Sequence, residues 1–187
     1  MKSMEITEHQ IRTELKKSLV FIAGFVVFFI GLSLGISIIP ASFLELPTAG
    51  LTQQFLLFTA KPASLTFQEP ILLEIAQGKE IAISYLCTGF LELIILVSAI
   101  LASQGIEWKK RMKGVWFAAV GTQIFNLLRI WVTIFFILNS ETATIDLVHN
   151  VLFRLTLFVV IAGFYFIWFG WATGKLDISK FAFHRKA

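Results

Sequence analysis

Four apolar stretches of bilayer-spanning length, at residues 18–39, 88–103, 114–138 and 147–172, constrain this chain more than any other feature. An α-helix needs about 20 apolar residues to cross a hydrocarbon core of ~30 Å. In that solvent each backbone N–H and C=O has to be satisfied within its own segment. The expected architecture is therefore an all-α integral membrane protein, a four-span helical bundle forming one domain of 187 residues. The second stretch is short, which leaves little room for tilt. With 57% hydrophobic residues and a mean hydropathy of +0.80, composition supports membrane residence and says nothing about chemistry.

Charge sets the orientation, because positively charged loops stay cytoplasmic. The first stretch is too long for a signal-peptide core and lacks a small-x-small cleavage site, so it reads as an uncleaved span. Lys2, Arg12, Lys16 and Lys17 place a cytoplasmic lead-in at 1–17. Lys109, Lys110, Arg111 and Lys113 mark a cytoplasmic loop at 104–113, and Lys175, Lys180, Arg185 and Lys186 a cytoplasmic tail at 173–187. The outer segment at 40–87 and the outer loop at 139–146 hold Glu45, Glu69, Glu74, Glu80, Glu141 and Asp146 against Lys61 and Lys79. Both termini then face the cytoplasm of a multi-pass protein of the cell membrane. The net charge of +4 is mostly a topology signal, and no basic and aromatic constellation calls for nucleic acid.

Ile6, Ile11 and Leu15 are spaced as in a surface helix on the inner headgroups, or belong to a plain solvated lead-in. In the outer segment, residues 51–58 are apolar enough to lie against the membrane, and Lys61-Pro62 ends that element. Residues 71–84 read as a small extracytoplasmic β-hairpin, with Ile81 and Ile83 alternating against Glu80, Ala82 and Ser84 around a turn at Gln77-Gly78-Lys79. The hairpin delivers the chain to Cys87.

Cys87 is the sole cysteine, which excludes an intrachain disulfide. A cysteine in a membrane helix is ordinarily a small apolar packing residue. At the first turn of a helix, however, the free N–H groups and the macrodipole favour the reactive thiolate. Arg129 lies about nine residues, or ~13 Å, from the outer end of the third span. A guanidinium at that depth costs at least ~2.5 kcal/mol, so it needs a partner or a task. It either pairs with Glu92 of the second span or reaches out to Cys87 to stabilise an oxyanion, and both can hold together. Asn126, one turn earlier on the same face, is placed to orient it.

His149, at the head of the fourth span, is the one histidine on the side of Cys87, since His9 and His184 fall in the cytoplasmic segments. It is either a solvated interfacial histidine or a proton-transfer group, with Asp146 three residues earlier as a candidate to fix its tautomer. Arg154 shares a face with Asn150 and is a candidate to neutralise Glu92, bind a lipid phosphate or replace His149. No metal-spaced His and Cys cluster and no phosphate-cradling glycine loop occurs, so neither metal nor cofactor is expected.

The run from Gly78 to Gly89 with Cys87-Thr88-Gly89, then Asn126-Leu127-Leu128-Arg129-Ile130, then His149, resembles in order and spacing the motifs of the exosortase and archaeosortase family. The resemblance covers residues 71–171 and implies a membrane-embedded cysteine protease or transpeptidase, for which sortases are the convergent analogue. Its implied substrates are membrane proteins ending in a short motif, a hydrophobic helix and a basic tail. The implied reaction is attack by Cys87 just before that helix and transfer of the acyl group to a lipid, another acceptor or water. The chain is short for the family. Some archaeal relatives use an arginine as third residue, which leaves His149 and Arg154 both open. The competing expectation is a small membrane transporter or assembly subunit that uses Arg129, Arg154 and Glu92 and tolerates loss of Cys87.

Overall fold

The longest helix buries small and polar residues along much of its inward face. Helix α4 (Trp108–Asn139) turns Gly114, Ala118, Thr122, Asn126 and Arg129 inward along one stripe and leaves Trp116, Phe117, Ile124 and Phe135 exposed. Small and polar residues inside, apolar residues outside, is the arrangement expected where the surrounding solvent is hydrocarbon. In this computed structural model, residues 8–59, 61–68, 70–75, 78–139 and 153–176 are described. His149, Asp146, Asn150, the outer loop beyond Asn139 and the tail beyond Leu176 lie outside them.

Among the described residues, two helices are long and apolar enough to cross a membrane, at Gln10–Ser37 and Trp108–Asn139. The first is part of α1 (Glu8–Ser37), so residues 8–17, expected as a lead-in, continue the same helix. Two shorter apolar helices follow the expected second and fourth spans: α3 (Phe90–Ala102) and α5 (Phe153–Ala172). With 13 residues, α3 is about 20 Å long. Helix α1 packs on α3, where Gly24 sits against Ala102. Helices α3, α4 and α5 pack on one another around Leu96, Ile100, Ile106, Ala118, Trp168 and Ala172. Glycine notches set that approach: a Cβ on Gly114 would strike the Trp168 indole, and one on Gly121 would lie 2.5 Å from Phe164 Cε2.

The outer segment is richer than a hairpin. It comprises α2 (Ala41–Phe58) and a three-stranded antiparallel sheet in the order β1 (Ala63–Thr66), β2 (Ile71–Ile75), β3 (Lys79–Ile83). The hairpin expected at 71–84 is there as β2 and β3, with Ile71 opposite Ile83 and Leu73 opposite Ile81. Strand β2 buries Ile71, Leu73 and Ile75 and exposes Glu74, the period-2 alternation of a half-buried sheet. Pro47, inside α2, obscured the helix in the sequence; it starts ten residues before the apolar run at 51–58. Ala49 and Leu56 of α2, the buried strand residues, and Ile130 and Ile134 of α4 form a second core. The molecule thus has a cap, formed by α2 and the sheet, and a helical bundle, and α4 runs through both.

Candidate active site

Between the two cores lies a polar seam. Strand β3 ends at Ile83, and the chain turns through a 3-10 helix, Tyr85–Cys87, before α3 begins. Cys87 is therefore not in the first turn of α3, where the sequence placed it, but in the turn that precedes it. Its N–H donates to the Ser84 carbonyl at 2.8 Å. Its carbonyl accepts from Asn126 Nδ2 at 2.7 Å. Gln123 Nε2 donates to the next carbonyl, that of Thr88, at 3.2 Å. Two amides of α4 one turn apart thus hold the Cys87-Thr88 backbone, and Asn126 serves the cysteine rather than the arginine it was expected to orient.

The local sequence makes that grip possible. Thr88 is fully buried, donates its hydroxyl to the Tyr85 carbonyl at 2.6 Å and accepts from the Phe90 N–H at 3.4 Å. Its oxygen thereby meets one of the orphan donors at the start of α3. Gly89 has φ of 76°, a left-handed conformation that side chains disfavour. A Cβ there would also lie 3.0 Å from Asn126 Cγ, so only glycine allows the asparagine to close over the turn.

Arg129 is buried, as is Glu92 in the first turn of α3, and Arg129 Nη1 lies 3.9 Å from Glu92 Oε1. Helical side chains tilt toward their own N-terminus. That tilt turns Glu92 toward the start of α3 and Arg129 toward Asn126 on α4, and the two meet in the seam. The ion pair foreseen from sequence is therefore formed. Two such ions lose several kcal/mol each in hydration, an expense their attraction offsets only in good geometry. At 3.9 Å the pair is loose, and Glu92 Oε2 has no hydrogen-bond partner among the described residues.

Arg129 also faces Cys87. Both line a cavity of about 150 Å³, whose remaining walls are Ile81, Ala82 and Ile83 of β3 and Ile130, Thr133, Ile134 and Ile137 of α4. On its other side, toward Val160 and Ile161 of α5, the seam is packed shut, leaving about 10 Å³ among Gly89, Glu92, Thr122, Asn126 and Arg129. That is barely room for one water. The site opens toward β3. The Cys87 thiol, half-buried, lies 3.7 Å from the Ser84 hydroxyl. Burial, and then the charge of Glu92, raise the Tyr85 phenol above its ordinary value, so it stays protonated.

The sequence placed Arg129 ~13 Å deep in hydrocarbon by counting residues to the end of the helix. The turns beyond Arg129 carry Ile130 and Ile134 in the cap's core. Arg129 sits where cap meets bundle. Arg154 falls in the first turn of α5, and nothing is described of its side chain. Sequence reasoning missed Gln123 and Glu45. Gln123 is three residues before Asn126, a spacing that puts both amides on one face. Glu45, counted as an outer-loop charge, is 4% exposed on the inward face of α2, the helix that packs on the sheet, the 3-10 turn and α4. No family model, curated protein or solved structure matches this chain.

Proposed function

We propose that this protein is a membrane cysteine transpeptidase that cleaves C-terminal sorting signals of exported proteins at the outer face of the cell membrane. The observation that carries the reading is the shared cavity of Cys87 and Arg129, lined otherwise by the strand that leads into the cysteine and by α4. A nucleophile and a fixed cation facing one apolar space are what acyl transfer through an oxyanion requires. The order of motifs, which resembles exosortases and archaeosortases, supports the same reading.

In this mechanism His149 takes the Cys87 thiol proton, and the thiolate adds to the carbonyl carbon just before the substrate's hydrophobic helix. The guanidinium of Arg129 neutralises the oxyanion. Collapse breaks the C–N bond, His149 returns the proton to the leaving amine, and a thioester remains on Cys87. A lipid amine or hydroxyl, another acceptor or water then attacks the thioester, loses its own proton to the base and regenerates the thiol. Asn126 and Gln123 hold the nucleophile's backbone throughout, and Arg154 is the alternative third residue.

Helices α1, α3, α4 and α5 are the four spans of this reading, with both termini cytoplasmic. At about 20 Å, α3 is shorter than a ~30 Å hydrocarbon core, so its outer end and Cys87 lie near the headgroup boundary, where a protein junction and a lipid acceptor can both arrive.

The test is co-expression of wild type or Cys87→Ala with an exported reporter that ends in a short motif, a hydrophobic helix and a basic tail, read by intact mass. Loss of the helix with an added acceptor mass, in wild type alone, is the expected outcome. Helix loss without added mass makes the protein a protease. Processing that survives Cys87→Ala overturns the reading. The buried Arg129–Glu92 pair favours a second one, a transporter or assembly subunit for which the pair is the working element and Cys87 is dispensable.

A further inference from the structure

Strand β3 is an edge. The sheet runs β1-β2-β3, and among the described residues β3 pairs with β2 alone. An unpaired strand edge presents a row of N–H and C=O groups that protein chains normally cover, blunt or use. Here the edge coincides with the open side of the site. Ile81, Ala82 and Ile83 all line the cavity that contains Cys87 and Arg129. Consecutive strand residues point to opposite faces. A cavity bordered by three in a row therefore runs along the strand's edge and not over one of its faces. Its far wall is the Ile130, Thr133, Ile134 and Ile137 side of α4, and its inner end is the nucleophile. About 150 Å³ accommodates one or two modest apolar side chains and no folded segment.

We infer that the edge of β3 left unpaired among the described residues is the substrate-docking surface: the segment preceding the substrate's hydrophobic helix adds to the sheet as a fourth strand, its apolar side chains filling the groove between β3 and α4. This inference rests on the transpeptidase reading and names what that site binds, an extended apolar peptide held by main-chain hydrogen bonds. Such strand addition draws affinity from the backbone and selectivity from alternate side chains.

Direction follows from topology. The outer end of β3 is fixed by Lys79, whose Nζ donates to the Ile137 carbonyl near the end of α4 at 2.8 Å, and its other end leads to Cys87. A substrate that enters from the outer side and continues inward as a helix runs the same way, so the added strand is parallel to β3. The residue next to the scissile bond then lies beside Ala82 or Ile83, and residues two positions earlier lie beside Glu80.

Disulfide trapping tests this. In a Cys87→Ala background, which leaves the reporter uncleaved and removes the sole native thiol, single cysteines are introduced as Glu80→Cys, Ala82→Cys or Ser64→Cys. Glu80 and Ala82 are exposed on β3, and Ser64 is on β1 at the opposite edge. Each is paired with single cysteines stepped through the reporter segment before its helix. Docking raises local concentration, so Ala82→Cys gives about tenfold or more product than Ser64→Cys. Positions near the helix couple to Ala82→Cys, and those two residues earlier couple to Glu80→Cys.

The reverse order, equal coupling at Ser64→Cys, or no coupling to β3 overturns strand addition while leaving the enzyme reading intact, provided wild type cleaves the same reporter. If wild type leaves every reporter whole, the enzyme reading fails and the docking inference falls with it. A Lys79→Arg variant retains a cation for the Ile137 carbonyl and serves as the folded control.

Discussion

The sheet of the cap and helix α4 of the bundle follow different rules of burial within one chain. In the sheet, hydropathy predicts what is inside: Ile71, Leu73, Ile75 and Ile83 are buried, while Glu74 and Glu80 are exposed. In the bundle it does not, because Ser98, Thr122, Asn126 and Arg129 are buried while Val27, Leu34, Ile124 and Phe166 are exposed. Buried hydroxyls survive there by bonding within their own helix, as Ser98 does to the Ile94 carbonyl at 2.6 Å. The difference teaches that α4 serves two kinds of packing along its length, with Ile130 and Ile134 in the core shared with the sheet and Thr122, Asn126 and Arg129 on its buried polar stripe.

The largest effect is expected in the seam itself. Arg129→Met leaves Glu92 buried without its cation and should cost about 3–5 kcal/mol in denaturant unfolding in micelles. The double variant Arg129→Met with Glu92→Leu should recover most of that loss yet remain inactive toward any reporter. Recovery of activity would show that the pair is scaffolding alone. Next comes the cap: Leu73→Ala, at a fully buried site, should lose about 2–5 kcal/mol, whereas Ile124→Ala on the exposed face of α4 should stay within about 0.5 kcal/mol. Equal losses at the two positions would break the contrast between the regions.

How legible each region was follows from the same contrast. The β2–β3 hairpin could be read because period-2 alternation survives wherever one strand face meets water. The apolar helices could be read because length and hydropathy alone define them. Strand β1 and the N-terminal half of α2 could not, since Pro47 interrupts the pattern and Glu45, which looks like a solvated charge, is buried. Within the bundle, rotation about each helix axis was legible only at Arg129, Asn126 and Glu92, where a polar group in an apolar run must face inward. The Arg129–Glu92 pair was accordingly anticipated. Asn126 as the support of the Cys87 carbonyl was not, because a short-range spacing rule finds neighbours along one helix and is blind to a contact with the chain 39 residues away.

A smaller effect sharpens the contrast inside the bundle. Gly114→Ala drives a methyl into the Trp168 ring, whose Nε1 donates to the Lys110 carbonyl at 3.2 Å, and should cost about 1–3 kcal/mol. Gly31→Ala meets nothing within 4 Å on the outward side of α1 and should be neutral or slightly stabilising, since alanine replaces glycine in a helix. Thermal unfolding of the two variants in the same micelles separates glycine required for packing from glycine that is merely present.

The smallest effect bears on the basic cluster expected in a cytoplasmic loop at 104–113 and treated from sequence as one topology signal; α4 begins at Trp108, so its lysines and arginine lie on the helix. They divide by geometry. Arg111 donates from Nη1 at 2.9 Å to the Leu101 carbonyl, one of the last carbonyls of α3 that have no partner within the helix, and from Nε at 3.1 Å to the Ile106 carbonyl in the segment that follows. Lys109 is exposed on the first turn of α4. Each substitution to glutamine removes one positive charge, so their effects on orientation, read with a reporter fused to either terminus, should be equal. Their effects on stability should differ: Arg111→Gln should lose about 1 kcal/mol through its cap and its charge at a helix C-terminus, and Lys109→Gln nothing measurable. Equal stability would mean that the cluster's charge acts only through the membrane, and unequal orientation would mean that capping and topology are one property of the same side chain.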